Sequence, residues 1–463
     1  MRTTARAGAR LICNAAILLT LALGAAVQPA AADDPVVLNA NRYDVLAGRY
    51  SVFARFQAGL QRLLDDCGKP VPPVVKRGAD PSGRIGRETR QGILRALECD
   101  ALKGVPADSA ARQGVLTEAV WRAVMGGQPL PTIRDRAAAL VLSFEGTDFG
   151  DPPEWNLCQD NKPSAPHQSN RRAPGFVCYN GSDPCSLLTW GPRGATAGAG
   201  REIQFILWMT WKEDPSLVEK AFGPEAVHLQ RFFRLRGEGD KSCYVATPLK
   251  RFLCAVWMDP ARSRRWETAL EQLGHEPRVR EAYARLYALE EFDGDKLRAF
   301  FALWHRLGLT PNEVDYAFFL DRITHLGGPP RSDTAIEAVK TCVGQEHRAI
   351  SKNARVRRCI ARLQPHTTQP ELRLARDVAY YLDAYPAGAL SEDEITTWGS
   401  YVPLSAIDTL GLSEAKPVTT GQALPLASLG PDVPLADSSH LTPEEARLCP
   451  PSVLTPLSRK PSH

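Results

Sequence analysis

The spacing of apolar residues predicts three helices before residue 129. Side chains three and four residues apart form one buried helical face. The positions that mark the helices are, in order, Phe53, Phe56, Leu60, Leu63 and Leu64, then Thr89, Ile93, Leu94 and Leu97, then Val120, Trp121 and Val124. Thr117 precedes the third helix, and we expect its hydroxyl to cap that helix.

Residues 129–411 also show mostly helical periodicity, interrupted by an irregular Cys-, Pro- and Gly-rich stretch from Gly146 to Gly200. The predicted helices are Ile133–Phe144, Glu202–Trp211, Leu217–Phe233, Trp266–Leu273, Arg278–Leu289, Lys296–Leu307 and Pro311–Thr324. Turn residues around a short β-prone stretch within the irregular part predict a small hairpin packed between helices. The pattern therefore predicts a mainly α protein with one β-hairpin.

The N-terminus has the features of an export signal. Three arginines precede an apolar run from Leu11 to Val27, and three alanines at 30–32 provide small residues for a cleavage site. We therefore expect a signal peptide over residues 1–32 and a periplasmic or secreted protein. The alternative is an uncleaved anchor, since the apolar run is just long enough to span a bilayer; after removal of the signal we expect no stable membrane insertion.

Composition and charge exclude some classes of protein. With 463 residues, 35 Gly, 37 Pro and 44% hydrophobic residues, the chain is neither collagen-like nor wholly disordered. Removal of Arg2, Arg6 and Arg10 with the signal takes the formal charge from +4 to +1. This is far from the basic surface that nucleic-acid binding needs, so we expect no nucleic-acid partner.

The cysteines support export. Ten of the 11 cysteines remain after loss of Cys13, an even number that favours disulfides in an oxidising compartment. The spacing predicts the pairs Cys67–Cys99, Cys243–Cys254 and Cys342–Cys359, and leaves Cys158, Cys178, Cys185 and Cys449 unassigned. A zinc site is disfavoured because no two cysteines stand two to four residues apart. We expect no metal and no cofactor.

The end of the chain differs in composition from the rest. Residues 412–463 are rich in Pro, Ser and Thr and lack apolar periodicity, so we predict a flexible tail, tied down if Cys449 is bridged. The expected domains are thus a signal peptide over 1–32, a three-helix module over 33–128, a larger helical domain over 129–411 and the tail.

The first module resembles the three-helix peptidoglycan-binding module. Four pieces of that module's signature occur in order, namely 60–64 (Leu-Gln-Arg-Leu-Leu), the turn at 80–83, 86–89 (Gly-Arg-Glu-Thr) and 116–121 (Leu-Thr-Glu-Ala-Val-Trp). The resemblance covers about seventy residues and implies that the module binds peptidoglycan. A helical spacer would show the same periodicity and is the alternative.

Candidate chemistry begins at the end of the predicted helix 133–144. Glu145 follows this helix directly, and Gly146 is a suitable helix stop. The negative end of the helix dipole and the neighbouring Phe144 would both raise the pKa of a carboxyl group there. A carboxylic acid that stays protonated can donate a proton to the leaving oxygen of a sugar. A solvated surface glutamate is the alternative.

Glu145 and the predicted hairpin together resemble the lysozyme-like superfamily. The spacing from Asp183 through Thr189 to Gly191 is similar to the Asp-x5-Thr-x-Gly hairpin of phage-type lysozymes, and 193–198 (Arg-Gly-Ala-Thr-Ala-Gly) is similar to the hairpin of bacterial chitosanases. Two differences stand out. The chitosanase pattern has an acid where this chain has Gly191, and a long insertion separates Glu145 from Asp183.

The resemblance implies an inverting glycoside hydrolase, with Glu145 as the acid and with Asp183 and Thr189 holding the attacking water. Because of the insertion, Asp148, Asp151 and Asp160 are alternatives for the second carboxylate. Further residues expected at the substrate are Arg193, Thr196 and Asp321. Arg193 is as plausible as a donor that stabilises its own loop. Asp321 and His325 share a helical face, and a surface pair or a helix-end contact is the alternative to a role in a cleft.

We therefore expect an exported enzyme that cleaves the glycan strands of peptidoglycan, or a related amino-sugar polymer, without a cofactor. The alternatives are a chitosanase-like hydrolase, a lytic transglycosylase, and a non-catalytic cell-wall-binding protein on a degenerate lysozyme-like fold. The oligomeric state is left open by the sequence.

Overall fold

The computed structural model describes a large part of the chain. The described residues are 34–38, 45–46, 52–68, 84–85, 87–142, 144, 149–157, 186–198, 200–235, 246–326, 328–347, 350–365, 376–377, 379–380, 411–424, 428 and 441–454. Residues 1–32, where the signal peptide is predicted, lie outside these ranges. Among the described residues, no helix is both long and apolar enough to cross a bilayer.

The N-terminal part contains the three predicted helices and two small sheets. The helices are Val52–Asp66 (α1), Arg87–Ala96 (α2) and Glu118–Met125 (α3), and the strands are Val36–Leu38 (β1), Val45–Leu46 (β2), Arg84–Ile85 (β3) and Leu116–Thr117 (β4). β1 pairs with β4 and β2 with β3, both antiparallel. The buried positions of α1 include Phe53, Phe56 and Leu60, and Phe56 stacks on Trp121 of α3 at 5.6 Å between ring centroids.

The predicted cap of α3 is wrong in its acceptor group. Thr117 occupies the position before the helix, but its side chain makes no capping hydrogen bond. Instead the carboxylate of Asp34 accepts a hydrogen bond from the Ala119 amide at 2.9 Å. Thr117 is fully buried in β4, and the charged carboxylate of Asp34 takes its place as the acceptor at the helix end.

The described residues after 128 are mainly helical and contain one hairpin, as predicted. The helices are Ile133–Leu142 (α4), Glu202–Glu213 (α5), Pro215–Phe222 (α6), Leu229–Arg234 (α7), Pro248–Met258 (α8), Pro260–Gly274 (α9), Pro277–Tyr287 (α10), Asp295–Arg306 (α11), Glu313–Leu326 (α12), Asp333–Gln345 (α13), Lys352–Leu363 (α14), Thr420–Ala423 (α15), Pro443–Leu448 (α16) and Pro451–Leu454 (α17). The hairpin strands are Ser186–Trp190 (β5) and Ala195–Gly198 (β6).

The predicted continuous helix from Leu217 to Phe233 is interrupted. A short 3-10 helix, Gly223–His228, separates α6 from α7. Gly223 has a positive φ of 53°, and Pro224 has no amide hydrogen to continue the helical hydrogen bonds. Both effects end α6 at Phe222.

Two hydrophobic cores organise the described residues. The first combines α1 to α4 with α11 to α14 and continues through Tyr380 to residues 412–424. The second runs from Phe149 through the hairpin and α5 to α10, and includes Cys449 and Leu454. The chain passes from the first core to the second after Phe144, and it returns after Leu289.

Three disulfides join described residues. Cys67–Cys99 and Cys342–Cys359 confirm two predicted pairs. The predicted pairing of Cys243 with Cys254 is wrong, because Cys254 is bonded to Cys449, 195 residues later. Cys254 is fully buried on α8, against which α16 packs, so proximity in space outweighs proximity in sequence. Disulfides of this number favour an oxidising compartment outside the cytoplasm.

The C-terminal segment is attached to the second core at more than one point. Besides the Cys254–Cys449 disulfide, the Arg251 guanidinium donates to the backbone oxygens of Cys449 and Ala446 at 2.9 and 3.1 Å. Arg231 also forms an ion pair with the buried Glu445 at 2.6 Å. Residues 441–454 are therefore tied down, as we expected for the case in which Cys449 is bridged.

The long-range disulfide should stabilise the fold more than the short-range one. Cys254→Ala/Cys449→Ala opens a loop of 195 residues, whereas Cys342→Ala/Cys359→Ala opens one of 17. Loop-closure entropy predicts losses of about 5 and about 3 kcal/mol in the free energy of unfolding. Guanidinium denaturation of both double variants measures the difference. Equal losses would show that the C-terminal segment is held mainly by its ion pairs and backbone contacts.

Candidate functional site

The hairpin presents one polar face and one buried face. In β5 and β6 alternation of side chains buries Leu188, Trp190, Ala195 and Ala197. Thr189 and Thr196, which are only half-buried, lie directly opposite each other in the antiparallel register. Residues opposite each other share a face, so these two predicted site residues are brought together.

Residues 154–156, which precede the hairpin in sequence, extend this polar face. Glu154 and Thr189 exchange two backbone hydrogen bonds, with N–O distances of 2.8 and 2.9 Å. The Asn156 amide nitrogen donates to the Thr189 hydroxyl oxygen at 2.7 Å. Because Glu154 is paired antiparallel with Thr189, its side chain projects to the same side as the two threonines.

A carboxylate that the sequence reasoning missed completes the face. Glu202, the first residue of α5, accepts hydrogen bonds at one oxygen, Oε2, from the Thr196 hydroxyl at 2.6 Å and the Thr196 amide at 2.8 Å. The signal that could have found it is an acidic residue in the first helical turn directly after the hairpin. We call Glu154, Asn156, Thr189, Thr196 and Glu202 the polar face.

Arg193, in the turn of the hairpin, is held in a buried ion-pair network. Its guanidinium donates to both carboxylate oxygens of Asp293, at 3.0 and 3.3 Å, and to the Thr324 hydroxyl at 3.0 Å. It also lies 4.0 Å above the ring of Tyr287. Arg134 of α4 donates to the same Asp293 at 2.8 Å. Through these contacts Arg193 stabilises the hairpin turn to which it belongs.

Asp293 and Tyr287 have shifted pKa values in this network. Burial disfavours ionisation of Asp293, but Arg193 and Arg134 outweigh it and hold the pKa of that carboxyl below its usual value. Burial, with Tyr283 and Glu202 nearby, raises the pKa of Tyr287 well above its usual value. The network is thus a buried carboxylate between two guanidinium groups, with a neutral phenol ring beneath Arg193.

Gly191 is required where the chitosanase pattern has an acid. Its φ is +77°, and a Cβ at this position would lie 2.8 Å from Cε2 of Tyr283. The Tyr283 hydroxyl accepts hydrogen bonds from the amides of Arg193 and Ala195, at 2.9 and 3.3 Å. Tyr283 therefore holds the turn and fills the space that a side chain at 191 would need.

Asp321 is fully buried on α12, and both of its carboxylate oxygens accept hydrogen bonds from Nε of Arg376, at 3.1 and 3.2 Å. Asp321 is therefore not part of a surface pair, which was one alternative that the sequence left open. The structure does not bring it into contact with the hairpin threonines. The side chain of His325 lies outside the described residues.

Glu145 and Asp183, the predicted catalytic pair, lie outside the described residues, as do Asp148 and Asp160. Asp151 is described and is exposed.

The described residues on either side of 145–148 are both buried. Phe144 packs against Tyr380, with ring centroids 5.9 Å apart. Phe149 packs edge-on against Tyr283 at 4.8 Å and against Trp190 of β5 at 6.1 Å. The segment that carries Glu145 is thus followed directly by a residue that contacts the hairpin.

Comparison of the chain with models of protein families, with curated proteins and with solved structures gave no match. Within the described residues, no group of three or more His, Cys, Asp or Glu side chains is placed to hold a metal ion.

Asp293→Asn should destabilise the protein at neutral pH. The substitution leaves Arg134 and Arg193 without a buried anion, and breaking such a pair costs about 3–5 kcal/mol in the free energy of unfolding. Because the pKa of Asp293 is lowered on folding, its stabilising effect is present above the unfolded value of 3.8 and is lost as the pH falls through the folded value below it. Denaturant unfolding at a series of pH values measures both effects.

The matched control is Asp295→Asn, since Asp295 is 81% exposed and pairs with Arg298 at 3.3 Å. Exposed pairs contribute at most about 1 kcal/mol, so this variant should stay near wild type. Equal stability of the two variants at neutral pH would contradict a stabilising role for the Asp293 network.

Proposed function

We propose that the chain is an exported, periplasmic or secreted, glycoside hydrolase that cleaves the glycan strands of peptidoglycan. One observation carries the proposal. The predicted site residues Thr189 and Thr196 lie on one polar face of a hairpin, and the opposite, buried face of that hairpin packs against Phe149, which follows the segment carrying Glu145. A helix leading to a glutamate and then to a polar hairpin is the arrangement that the resemblance to the lysozyme-like superfamily implies.

The proposed chemistry is inverting hydrolysis. Glu145 donates a proton to the leaving sugar oxygen, while a second carboxylate and Thr189 hold water on the opposite face of the ring. The sequence assigns the second carboxylate to Asp183. The Thr189 hydroxyl accepts its hydrogen bond from Asn156, and a threonine hydroxyl that accepts one bond can still donate its own proton to a water or a sugar oxygen.

Of the three proposed substrate-binding residues, Thr196 is the one on the polar face. Arg193 and Asp321 would each have to leave a buried ion pair to reach a substrate, Arg193 from Asp293 and Asp321 from Arg376. Breaking such pairs costs several kcal/mol, so the proposal relies on Thr196 for substrate contact. Arg193 instead keeps the hairpin in place.

The three-helix module supplies the proposed attachment to the cell wall. A groove of about 740 Å³ lies between α1 and the loop after α2, lined in part by Arg62, Leu63 and the Cys67–Cys99 disulfide. Its volume is within the range of small-ligand sites. Binding by this module would raise the local concentration of glycan at the hairpin, so the cleft itself need not bind tightly.

One observation favours a second candidate, a non-catalytic cell-wall-binding protein. Gly191 stands where the chitosanase pattern has an acid, and Tyr283 leaves no room for a side chain there. A protein of this kind would bind purified sacculi and release no sugar ends. A chitosanase-like hydrolase and a lytic transglycosylase are the other enzymatic alternatives, and product analysis separates the latter because it leaves an anhydro sugar end instead of a reducing one.

Glu145→Gln should abolish cleavage of purified sacculi without loss of folding or of sacculus binding. Loss of the proton donor should lower the rate by about 100-fold or more. The measurement is the release of reducing ends, with product analysis for anhydro ends. The matched control is Glu213→Gln, which alters another helix-terminal glutamate, the last residue of α5, paired at the surface with Arg285.

Full activity of Glu145→Gln would show that Glu145 is not the proton donor. Absence of any cleavage by the wild-type chain, with binding retained, would favour the non-catalytic candidate.

A further inference from the structure

We propose that Glu202 is the second carboxylate of the glycan-cleaving site, the base that takes a proton from the attacking water. This inference rests on the proposed function and replaces Asp183 in that one role. It starts from the position of Glu202, whose carboxylate stands at the polar face and bonds to Thr196, the residue directly opposite Thr189.

The orientation of the carboxylate is fixed by the hairpin. Both hydrogen bonds from Thr196, one from the amide and one from the hydroxyl, go to Oε2. Oε1 lies against Gly200, where a Cβ would come within 2.6 Å of it. A side chain at position 200 would therefore displace the carboxylate. The two hydrogen bonds to Oε2 orient Glu202, as the position of a base must be set.

Glu202 begins α5, a helix of 12 residues, so its carboxylate stands at the N-terminal end of that helix. The neighbouring Arg201 donates to the backbone oxygen of Phe233 and lies 4.8 Å over the ring of Phe205. Glu202 is only half-buried, so water can reach it.

Other described carboxylates near the hairpin fit the role less well. Asp293 is buried between two guanidinium groups, and Asp321 is fully buried against Arg376. Glu154 shares the polar face but is exposed, and its hydrogen bonds with Thr189 are made by its backbone. Glu202 alone among these four is both half-exposed and oriented by a hairpin side chain.

The reaction is balanced with two carboxyl groups and one water. The water oxygen bonds to the anomeric carbon as Glu202 takes one of its protons, and the bond from that carbon to the glycosidic oxygen breaks. The departing oxygen takes the proton of Glu145. One water is consumed for each bond cleaved, and both carboxyl groups return to their starting states by proton exchange with solvent.

The test compares three variants of the full chain on purified sacculi, with release of reducing ends as the readout. Glu202→Gln should lower the rate by about 100-fold or more, since its amide cannot take a proton but its oxygen can still accept from Thr196. Glu213→Gln, at the opposite end of α5 and paired at the surface with Arg285, is the matched control and should stay near the wild-type rate. Asp183→Asn tests the residue assigned from the sequence and should cost less activity than Glu202→Gln. All three variants should bind sacculi like wild type.

A second measurement separates a catalytic from a structural role. In Glu202→Ala the lost base leaves space beside the anomeric carbon, where azide can attack without giving up a proton. Sodium azide should therefore restore cleavage by this variant and yield a glycosyl azide of inverted configuration. A variant that had only lost its fold would gain nothing from azide.

Three results would overturn the inference. They are full activity of Glu202→Gln, failure of azide to restore Glu202→Ala, or azide rescue of Asp183→Ala instead. If the wild-type chain releases no sugar ends, the proposed function itself fails and the role of Glu202 fails with it. If wild type cleaves and Glu202→Gln cleaves equally, only the assignment of Glu202 fails.

Discussion

The buried carboxylate of Asp293 joins the two halves of the structure. It accepts hydrogen bonds from Arg134 on α4, which belongs to the first core, and from Arg193 in the hairpin, which belongs to the second. Both guanidinium groups are largely removed from water, so the three side chains are stable only together. The position of the hairpin relative to α4 depends on this contact, and α4 is the helix that leads to Glu145.

The same network determines which side of the hairpin is available for chemistry. Arg193 and the Tyr283 hydroxyl hold the turn from the buried side, and Trp190 packs against Phe149 and Tyr283 below it. Strand alternation then leaves Thr189 and Thr196 on the opposite side. A rigid, buried support beneath a half-exposed polar face is what a site needs in order to hold its groups in a productive geometry.

Much of the fold could be predicted from local pattern. The helices of the N-terminal part, the helix before Glu145 and the hairpin all follow from periodicity and turn residues, because these signals lie within a few residues of one another. Six described helices are absent from the prediction, α8 and α13 to α17, although five of them begin with a Ser or Thr cap, at Thr247, Ser332, Ser351, Thr419 and Thr442. Gly223 and Pro224 also indicate a break between α6 and α7, which the predicted helix from Leu217 to Phe233 does not include.

The sequence by itself determined the mainly helical class, the hairpin and two of the disulfides, since each depends on neighbours in the chain. Only the tertiary structure decided the pairing of Cys254 with Cys449, the burial of Arg193 against Asp293 and the placement of Glu202 beside Thr196. Each of the first two joins residues about one hundred or more positions apart. The third joins residues six positions apart, and its local signal is the acidic residue that opens α5 directly after the hairpin; the tertiary structure decided that α5 turns its carboxylate back onto Thr196.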